Sequence, residues 1–322
     1  MGKRKTPIDW KTYNNELVDR GKRIADFIKF FSKDKELFKK ELLKQNKGKK
    51  GHPYEYADRL FILLAVIKAI TSKGFRFLEG FAFLLFDEVP DHNTIWRRIN
   101  KAAPDVLSKL SRTSAVRQKS GTIDIILDAT GISVNGTNVW IDEKYNERRK
   151  REWVKLHLCI DAATKEIISV DVLNKNDNEG KHEEFRKHIQ KAKKKGRINR
   201  VYADGAYDGK KNFGLCKKNG SELVTRIRKN TIEAVKRKKA INKRMVLHRL
   251  SPMQFGYREE RAIEQINWDE FVETKNYGKR SGVEGVIGSF KGFFGESVAS
   301  KCFDNIKTEL LVRCGVWNLM VV

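Results

Sequence analysis

Cysteine is scarce in this 322-residue chain, and its placement excludes more than its number does. Cys159, Cys216, Cys302 and Cys314 lie far apart with no C-x-x-C pair. They show no zinc-finger spacing and read as reduced thiols of a cytosolic protein. Long apolar runs are missing as well. The longest, residues 60–70, is interrupted by Lys68 and is too short to cross a bilayer, and the basic residues 1–6 lead into no apolar stretch of the secretory kind. Membrane insertion is thereby excluded, and a peripheral membrane role has no lipid-specific feature. There is no internal repeat, no low-complexity tract, and no H-E-x-x-H among the six histidines. The last shortage is acid: 41 Asp and Glu against 67 Lys and Arg leave a net charge of +26. Solubility does not need so large an imbalance, which suits a polyanionic partner, nucleic acid first and an anionic membrane surface second. What is present, 40% hydrophobic residues over a length suited to about two domains, is ample for a buried core.

Composition changes character near residue 115. Before it the periodicity is helical, with Leu17, Ile24, Phe27 and Phe31 in one stretch, then Leu60, Leu63, Leu64 and Ile67 in another. A Lys- and Gly-rich loop at 46–51, followed by Pro53, separates the two. Residues 56–102 read as three short helices, at 56–72, at 77–85, and a third behind the turn 87–91. Asp91 is a good N-cap, and the helix behind it exposes Asn93, Thr94, Arg97 and Arg98 around the apolar Ile95 and Ile99. That is the layout of a helix-turn-helix whose last helix enters a major groove, although a plain helical packing domain shows the same pattern. After a polar linker at 112–121 come strands at 123–127, 131–134, 154–161 and 166–173, with a turn signal at 134–136. A helix (181–195), a strand (198–203), a helix (210–219) and a strand (223–227) follow, which indicates a mixed sheet with helices on its faces. Residues 229–268 form a basic insertion, and 310–322 reads as a helix packed against this second half. The expected division is a helical region at 1–50, a helix-turn-helix-like region at 51–115, and an α/β domain at 120–322.

Three carboxylates stand where such an order of elements brings chain ends together. Asp128 ends the first long strand and Asp204 a later one; an acid at the end of a buried strand is expensive unless hydrogen bonds or a cation compensate it. The third is Glu284. On a helical wheel Tyr277, Arg280, Glu284 and Lys291 share an arc of about 60°, while Val283, Val286, Ile287, Phe290, Phe293 and Phe294 occupy a separate arc of about 120° that can face a core. Gly282, Gly285, Gly288, Gly292 and Gly295 weaken such a helix by about 1 kcal/mol each, so their accumulation asks for close approach by another element or by a nucleic-acid strand.

Tyr277, Arg280, Glu284 and Lys291 stand at Y-x2-R-x3-E-x6-K spacing, and the chain resembles the large group of bacterial and archaeal insertion-sequence transposases marked by that signature, which carry a DDE active site on an RNase H-like fold. Asp128-Ala-Thr-Gly-Ile, Lys155-Leu-His-Leu and Ala203-Asp204-Gly-Ala-Tyr-Asp208 resemble the same group, as do Arg76-Phe-Leu-Glu-Gly80 and Pro90-Asp-His-Asn-Thr94 upstream. The likeness spans about residues 10–320. It implies an α/β, RNase H-like mixed sheet flanked by helices, preceded by an all-α helix-turn-helix-like region. It implies that Asp128, Asp204 and Glu284 are catalytic and hold two Mg²⁺ (or Mn²⁺) ions about 4 Å apart for in-line phosphoryl transfer. Arg280 and Lys291 would grip phosphates beside the cut, and Tyr277 would position the terminal strand. The implied partners are double-stranded DNA, both terminal inverted repeats and target, and a second copy of the chain in a homodimer or higher assembly; the implied place is the prokaryotic cytoplasm, at the nucleoid. Two alternatives stay open: a DNA-binding regulator on a catalytically silent scaffold, and a metal-dependent nuclease without strand transfer.

Other candidates have plainer readings. Asp124 and Asp161 suit strand and turn ends at the surface, and Asp208 suits a helix cap. His182 and His188 fall on a solvated basic helix, and His157 reads as a packed strand residue. Trp140 and Trp153 flank the basic stretch 144–155, where they could stack on unpaired bases or serve as core; Arg148, Arg149 and Arg151 within it are candidate phosphate contacts. Three stretches, 144–155, 181–200 and 226–250, hold six basic and two acidic residues, nine and two, and ten and one. Most of the net charge thus lies beside the acid motifs, as backbone grip on DNA requires.

Overall fold

Between Asp58 and Thr71 the chain has almost no polar face, so the helix that forms there (α3) must be covered on every side. Leu60 through Ile67 and Ala69 are all buried. The helix stops where Ser72 turns left-handed (φ 55°) and donates its N–H to the Lys68 carbonyl at 2.8 Å. The computed structural model describes residues 9–33, 35–84, 86–110, 121–134, 152–178 and 180–321, with only the backbone given for 33, 35 and 104–110. Arg148, Arg149, Arg151, Trp140 and the turn signal at 135–136 lie outside the described residues. Two units are formed, one from Met1–Arg112 with Ala299–Val322, the other from Thr113–Val298.

The first unit is all helical. Before α3 come α1 (Trp10–Lys33) and α2 (Lys35–Asn46); after it come α4 (Phe75–Ala82) and α5 (His92–Leu110). Asp91 caps α5 as expected, its Oδ1 accepting the Asn93 N–H at 2.8 Å and its Oδ2 the Thr94 hydroxyl at 2.6 Å. The C-terminal helix, Phe303–Val321, was expected on the α/β half. It instead packs against α1, α3 and α5 within the helical unit. The reason is its composition: Ile306, Leu310, Val312, Cys314, Val316, Trp317, Leu319 and Met320 are buried, and a helix apolar on several faces needs several helical neighbours.

The second unit is built on a mixed sheet, with helices packed on its core. Its strands are β1 (Thr122–Val134), β2 (Trp153–Asp161), β3 (Ile167–Asn174), β4 (Arg197–Tyr202), β5 (Glu222–Val224) and β6 (Ser297–Val298). The order is β3-β2-β1-β4-β5, antiparallel from β1 to β3 and parallel from β1 to β5, with β6 added to the far end of β1. The two stretches expected at 123–127 and 131–134 are one strand. Ala129, Thr130 and Gly131, which look like a turn, continue the ladder opposite His157, Leu156 and Lys155. The parallel connections run through helices, α6 (His182–Lys193) before β4 and α7 (Lys210–Lys218) before β5. Ile123, Ile125 and Leu127 point to one face, where Phe185 and Ile189 of α6 and Phe213 and Cys216 of α7 complete the core. The basic insertion folds as α8 (Lys229–Leu247) and α9 (Tyr257–Glu264), which join that core through Val235 and Ala262. Alternation turns Asp124, Ile126 and Asp128 to the opposite face.

Candidate active site

Strand register does the first part of the assembly. Ile126 pairs with Tyr202 across the parallel β1–β4 ladder, so Asp128 and Asp204, each two residues further on, stand at the same level; Asp204 lies just past the end of β4, but Asp128, expected at a strand end, is in the middle of β1. Asp204 opens a short 3-10 turn, Gly205–Tyr207, and accepts the Ala206 N–H at 2.9 Å, while its carbonyl accepts the Thr225 hydroxyl. Asp128 is largely desolvated. Burial raises its pKa first, and the charges of Asp204 and Glu284 raise it further, against the Ala129 N–H and Arg280, which lower it.

The third acid arrives on the chain that crosses this face. Helix α10 (Trp268–Lys275) ends in an ionic knot: Glu222 of β5 pairs with Lys275 at 2.8 Å, Arg261 at 2.7 Å and Arg200 at 3.3 Å. The Lys275 carbonyl in turn accepts the Tyr202 hydroxyl at 3.3 Å. A 3-10 turn, Tyr277–Ser281, and then α11 (Gly282–Phe294) follow. The four signature residues were expected on one continuous helix, but the first two lie on the tighter turn. Tyr277 donates its hydroxyl to the Ala203 carbonyl at 3.3 Å, one residue before Asp204, and packs edge-on against Trp268 with ring centres 5.5 Å apart. Arg280 stands between two of the acids, with Nη2 2.5 Å from Glu284 Oε1 and Nη1 3.8 Å from Asp128 Oδ2. Lys291 lies two turns beyond Glu284 and is partly exposed.

Among the described residues no three His, Cys, Asp or Glu side chains converge closely enough to hold a metal ion. The guanidinium of Arg280 lies between Asp128 and Glu284 instead. The donor chemistry still fits a hard divalent cation: carboxylate oxygens, one of them desolvated and under repulsion from the other two. Of the five glycines from Gly282 to Gly295, only Gly282 is crowded; a Cβ there would meet Ile126 Cδ1 at 3.5 Å and Lys165 Nζ at 2.8 Å. Gly285, Gly288 and Gly292 meet no described residue, so no described element of this unit accounts for their accumulation.

Elsewhere the side chains chose partners that local pattern did not indicate. Asp208 does not cap α7, for which Gly209 is the N-cap. It holds Arg258 of α9 through two bonds of 2.6 Å and accepts the Arg228 N–H at 3.0 Å, which ties the loop after Asp204 to the basic insertion. His188 is not solvated but buried, bonded through Nδ1 to the Ser169 hydroxyl at 2.8 Å and through Nε2 to His157 Nδ1 at 3.1 Å. His157 Nε2 reaches the Tyr207 hydroxyl at 2.7 Å, so a buried polar chain runs beneath the Asp204 turn. Burial holds His188 well below the usual imidazole range and thus neutral. No spacing rule reveals this network; only strand alternation at His157 hints at it. Asp161 accepts the Ala163 and Thr164 N–H groups of its turn at 2.7 and 3.0 Å as a turn residue should, but it is buried rather than at the surface, and Asp124 pairs with Lys279 at 3.1 Å. On α5, Asn93 and Arg97 are exposed, but Arg98 is drawn inward to Asp58 at 2.7 Å and lies over the rings of Tyr54 and Phe61.

A family model described as "Transposase DDE domain" matches residues 119–319, and a second model of the same description matches residues 26–137. Among solved structures the chain is similar to the piggyBac transposase synaptic complex with hairpin DNA (11% identity, 92% of this chain and 74% of that one, TM-score 0.38). It is also similar to the Drosophila P element transposase strand transfer complex (11% identity, 89% and 84%, TM-score 0.30) and the Mos1 strand transfer complex (12% identity, 75% and 80%, TM-score 0.24).

Proposed function

The chain belongs to the transposase DDE-domain family, and from that premise we propose that it is an insertion-sequence transposase that cleaves the ends of its element and joins them to target DNA. The observation that carries the reading is the common level of Asp128 and Asp204 on β1 and just past β4, with Glu284 tied to Asp128 through Arg280. These acids would hold two divalent ions, Mg²⁺ or Mn²⁺, which when bound neutralise charge on the phosphoryl group and lower the pKa of the attacking water. Arg280 suits a bidentate phosphate contact, and between Asp128 and Glu284 it already offsets their repulsion. Lys291 contributes a point charge two turns along α11, and the open face of Gly285, Gly288 and Gly292 leaves room for a strand beside it. Tyr277, anchored to the Ala203 carbonyl, fixes the level at which that strand passes Asp204.

The helix-turn-helix reading narrows to the exposed Asn93 and Arg97 of α5 as base or phosphate contacts, with Thr94 serving the cap and Arg98 the core of the unit. A homodimer or larger assembly follows from the need to join two ends in one event. The test is a duplex carrying the inverted repeats that flank the coding region, incubated with Mg²⁺ and a target plasmid. Cleavage to a 3′-OH and recovery of joined products with duplicated target flanks are expected, and Glu284→Gln should abolish both while retaining duplex binding. Binding without cleavage in the wild type would assign a silent regulator, and cleavage without joining a nuclease.

A further inference from the structure

Tyr207, three residues beyond Asp204, turns its ring into the core beside Phe185 and Phe213 and is only 1% exposed. A phenylalanine would fill that place with no polar atom to satisfy, whereas a buried hydroxyl is costly unless it is bonded. Here the bond goes to His157 Nε2 at 2.7 Å. It continues from His157 Nδ1 to His188 Nε2, 3.1 Å apart, and from His188 Nδ1 to the Ser169 hydroxyl at 2.8 Å. All four residues are buried. A neutral imidazole has one N–H and one bare nitrogen, so two rings between two hydroxyls pass their donors along the chain in one direction or the other, and each direction uses every ring nitrogen. A chain satisfied in this way resists displacement of any member, because a broken bond leaves a buried polar group without its partner.

The elements joined by this chain are those that carry the two aspartates. His157 stands opposite Ala129 in the β1–β2 ladder, one residue past Asp128, and is fixed from α6 and β3 through His188 and Ser169. Tyr207 ends the 3-10 turn that Asp204 caps; the Asp204 carboxylate accepts the Ala206 N–H at 2.9 Å, and its backbone carbonyl accepts the Tyr207 N–H at 3.3 Å. Gly180 comes so close to the same turn that a Cβ there would lie 2.1 Å from the Ala206 carbonyl oxygen. The last pair of the β1–β4 ladder is Ile126 with Tyr202, so that ladder stops short of Asp204 and Asp128. Past it, the Tyr207–His157 bond is a side-chain link from the Asp204 turn to the strand paired with Asp128.

We propose that Tyr207 and His157 are positioning residues for Asp204, setting the turn that carries it at a fixed distance from the strand that carries Asp128. The role of Asp204 toward a metal rests on the proposed function; the link itself does not. An acid that shares metal ions has to be held within about 0.5 Å of its productive place, and a short turn needs an anchor for that. The test uses the full-length protein with Tyr207→Phe, His157→Leu, His157→Gln, which keeps an amide where Nε2 stands, and the double variant Tyr207→Phe/His157→Leu. In metal-free protein, hydrogen exchange of the segment 203–209 should quicken in Tyr207→Phe and His157→Leu, with the segments of β1 and β4 unchanged, and stay near wild type in His157→Gln. The double variant should match either single one, since both changes remove the same bond. The Mn²⁺ concentration that half-saturates the rise in melting temperature should increase about tenfold or more in Tyr207→Phe and His157→Leu, with duplex affinity in EDTA unmoved. Tyr207→Phe removes one oxygen and keeps the ring packed, so it carries the test if His157→Leu does not fold. Quicker exchange of the turn beside a wild type that neither binds Mn²⁺ nor cleaves would keep the link and remove the catalytic reading. Exchange that quickens alike over the whole unit, an unmoved turn, or an unmoved Mn²⁺ requirement in a protein whose wild type cleaves would overturn the proposal.

Discussion

Asp128 is an acid that its surroundings disfavour. Burial and the neighbouring charges of Asp204 and Glu284 hold its pKa above the ordinary 3.8. A carboxyl with a higher pKa folded than unfolded stabilises the fold while protonated, and that contribution is lost as pH rises from the ordinary value through the raised one. At neutral pH the ionised Asp128 therefore weighs against folding. Asp128→Asn should melt above the wild type in EDTA at pH 7, and the gap should close as pH falls below about 4. Added Mn²⁺ should raise the wild-type melting temperature and leave the variant nearly unmoved; thermal scans over a pH series with and without metal check both. The spacing of Tyr277, Arg280, Glu284 and Lys291 was legible because it is local. That Arg280 lies between Asp128 and Glu284 was not, because the sheet has to bring Asp128 to it.

At the scale of elements, the site depends on what holds the loop after β4. Asp208, almost fully buried, is matched by Arg258 from fifty residues away. Removing one partner of a buried pair leaves the other charge uncompensated, at about 3–5 kcal/mol. Arg258→Met should lose about 3 kcal/mol of stability in urea unfolding, near the lower end because Arg228 N–H still serves Asp208, and Asp208→Asn added to it should recover part of the loss. Most elements could be read from periodicity, including the short helices before residue 110 and the strands around Asp128 and Asp204. The exceptions share a cause. Ala129-Thr130-Gly131 carries turn residues, yet pairing with β2 keeps it extended, and the C-terminal helix has an apolar surface that says it is buried but not against what.

For the whole molecule, the net charge of +26 is the property that acts at a distance. Helix α8 puts one side, Val235, in the core and presents Arg237, Lys239, Lys243 and Arg244 to solvent. A protein that contacts 6–10 phosphates loses about 10³–10⁵ in affinity between 50 and 200 mM salt, and duplex binding here should fall within that range. Neutralising Arg237, Lys239, Lys243 and Arg244 to Gln should flatten the salt dependence and leave the melting temperature within about 3 °C, since surface changes of this kind stay near ±0.5 kcal/mol each; fluorescence anisotropy over a salt series and a thermal scan check it. By itself the sequence determined the mixed α/β class and pointed to a polyanionic partner and to the three acids proposed here, because composition and spacing along one element are set by neighbours in the chain. Only the tertiary structure decided which polar group meets which: Asp208 with Arg258, His188 with His157, and Arg280 with Asp128. Those choices depend on strand register and helix packing, which bring together residues that local periodicity never relates.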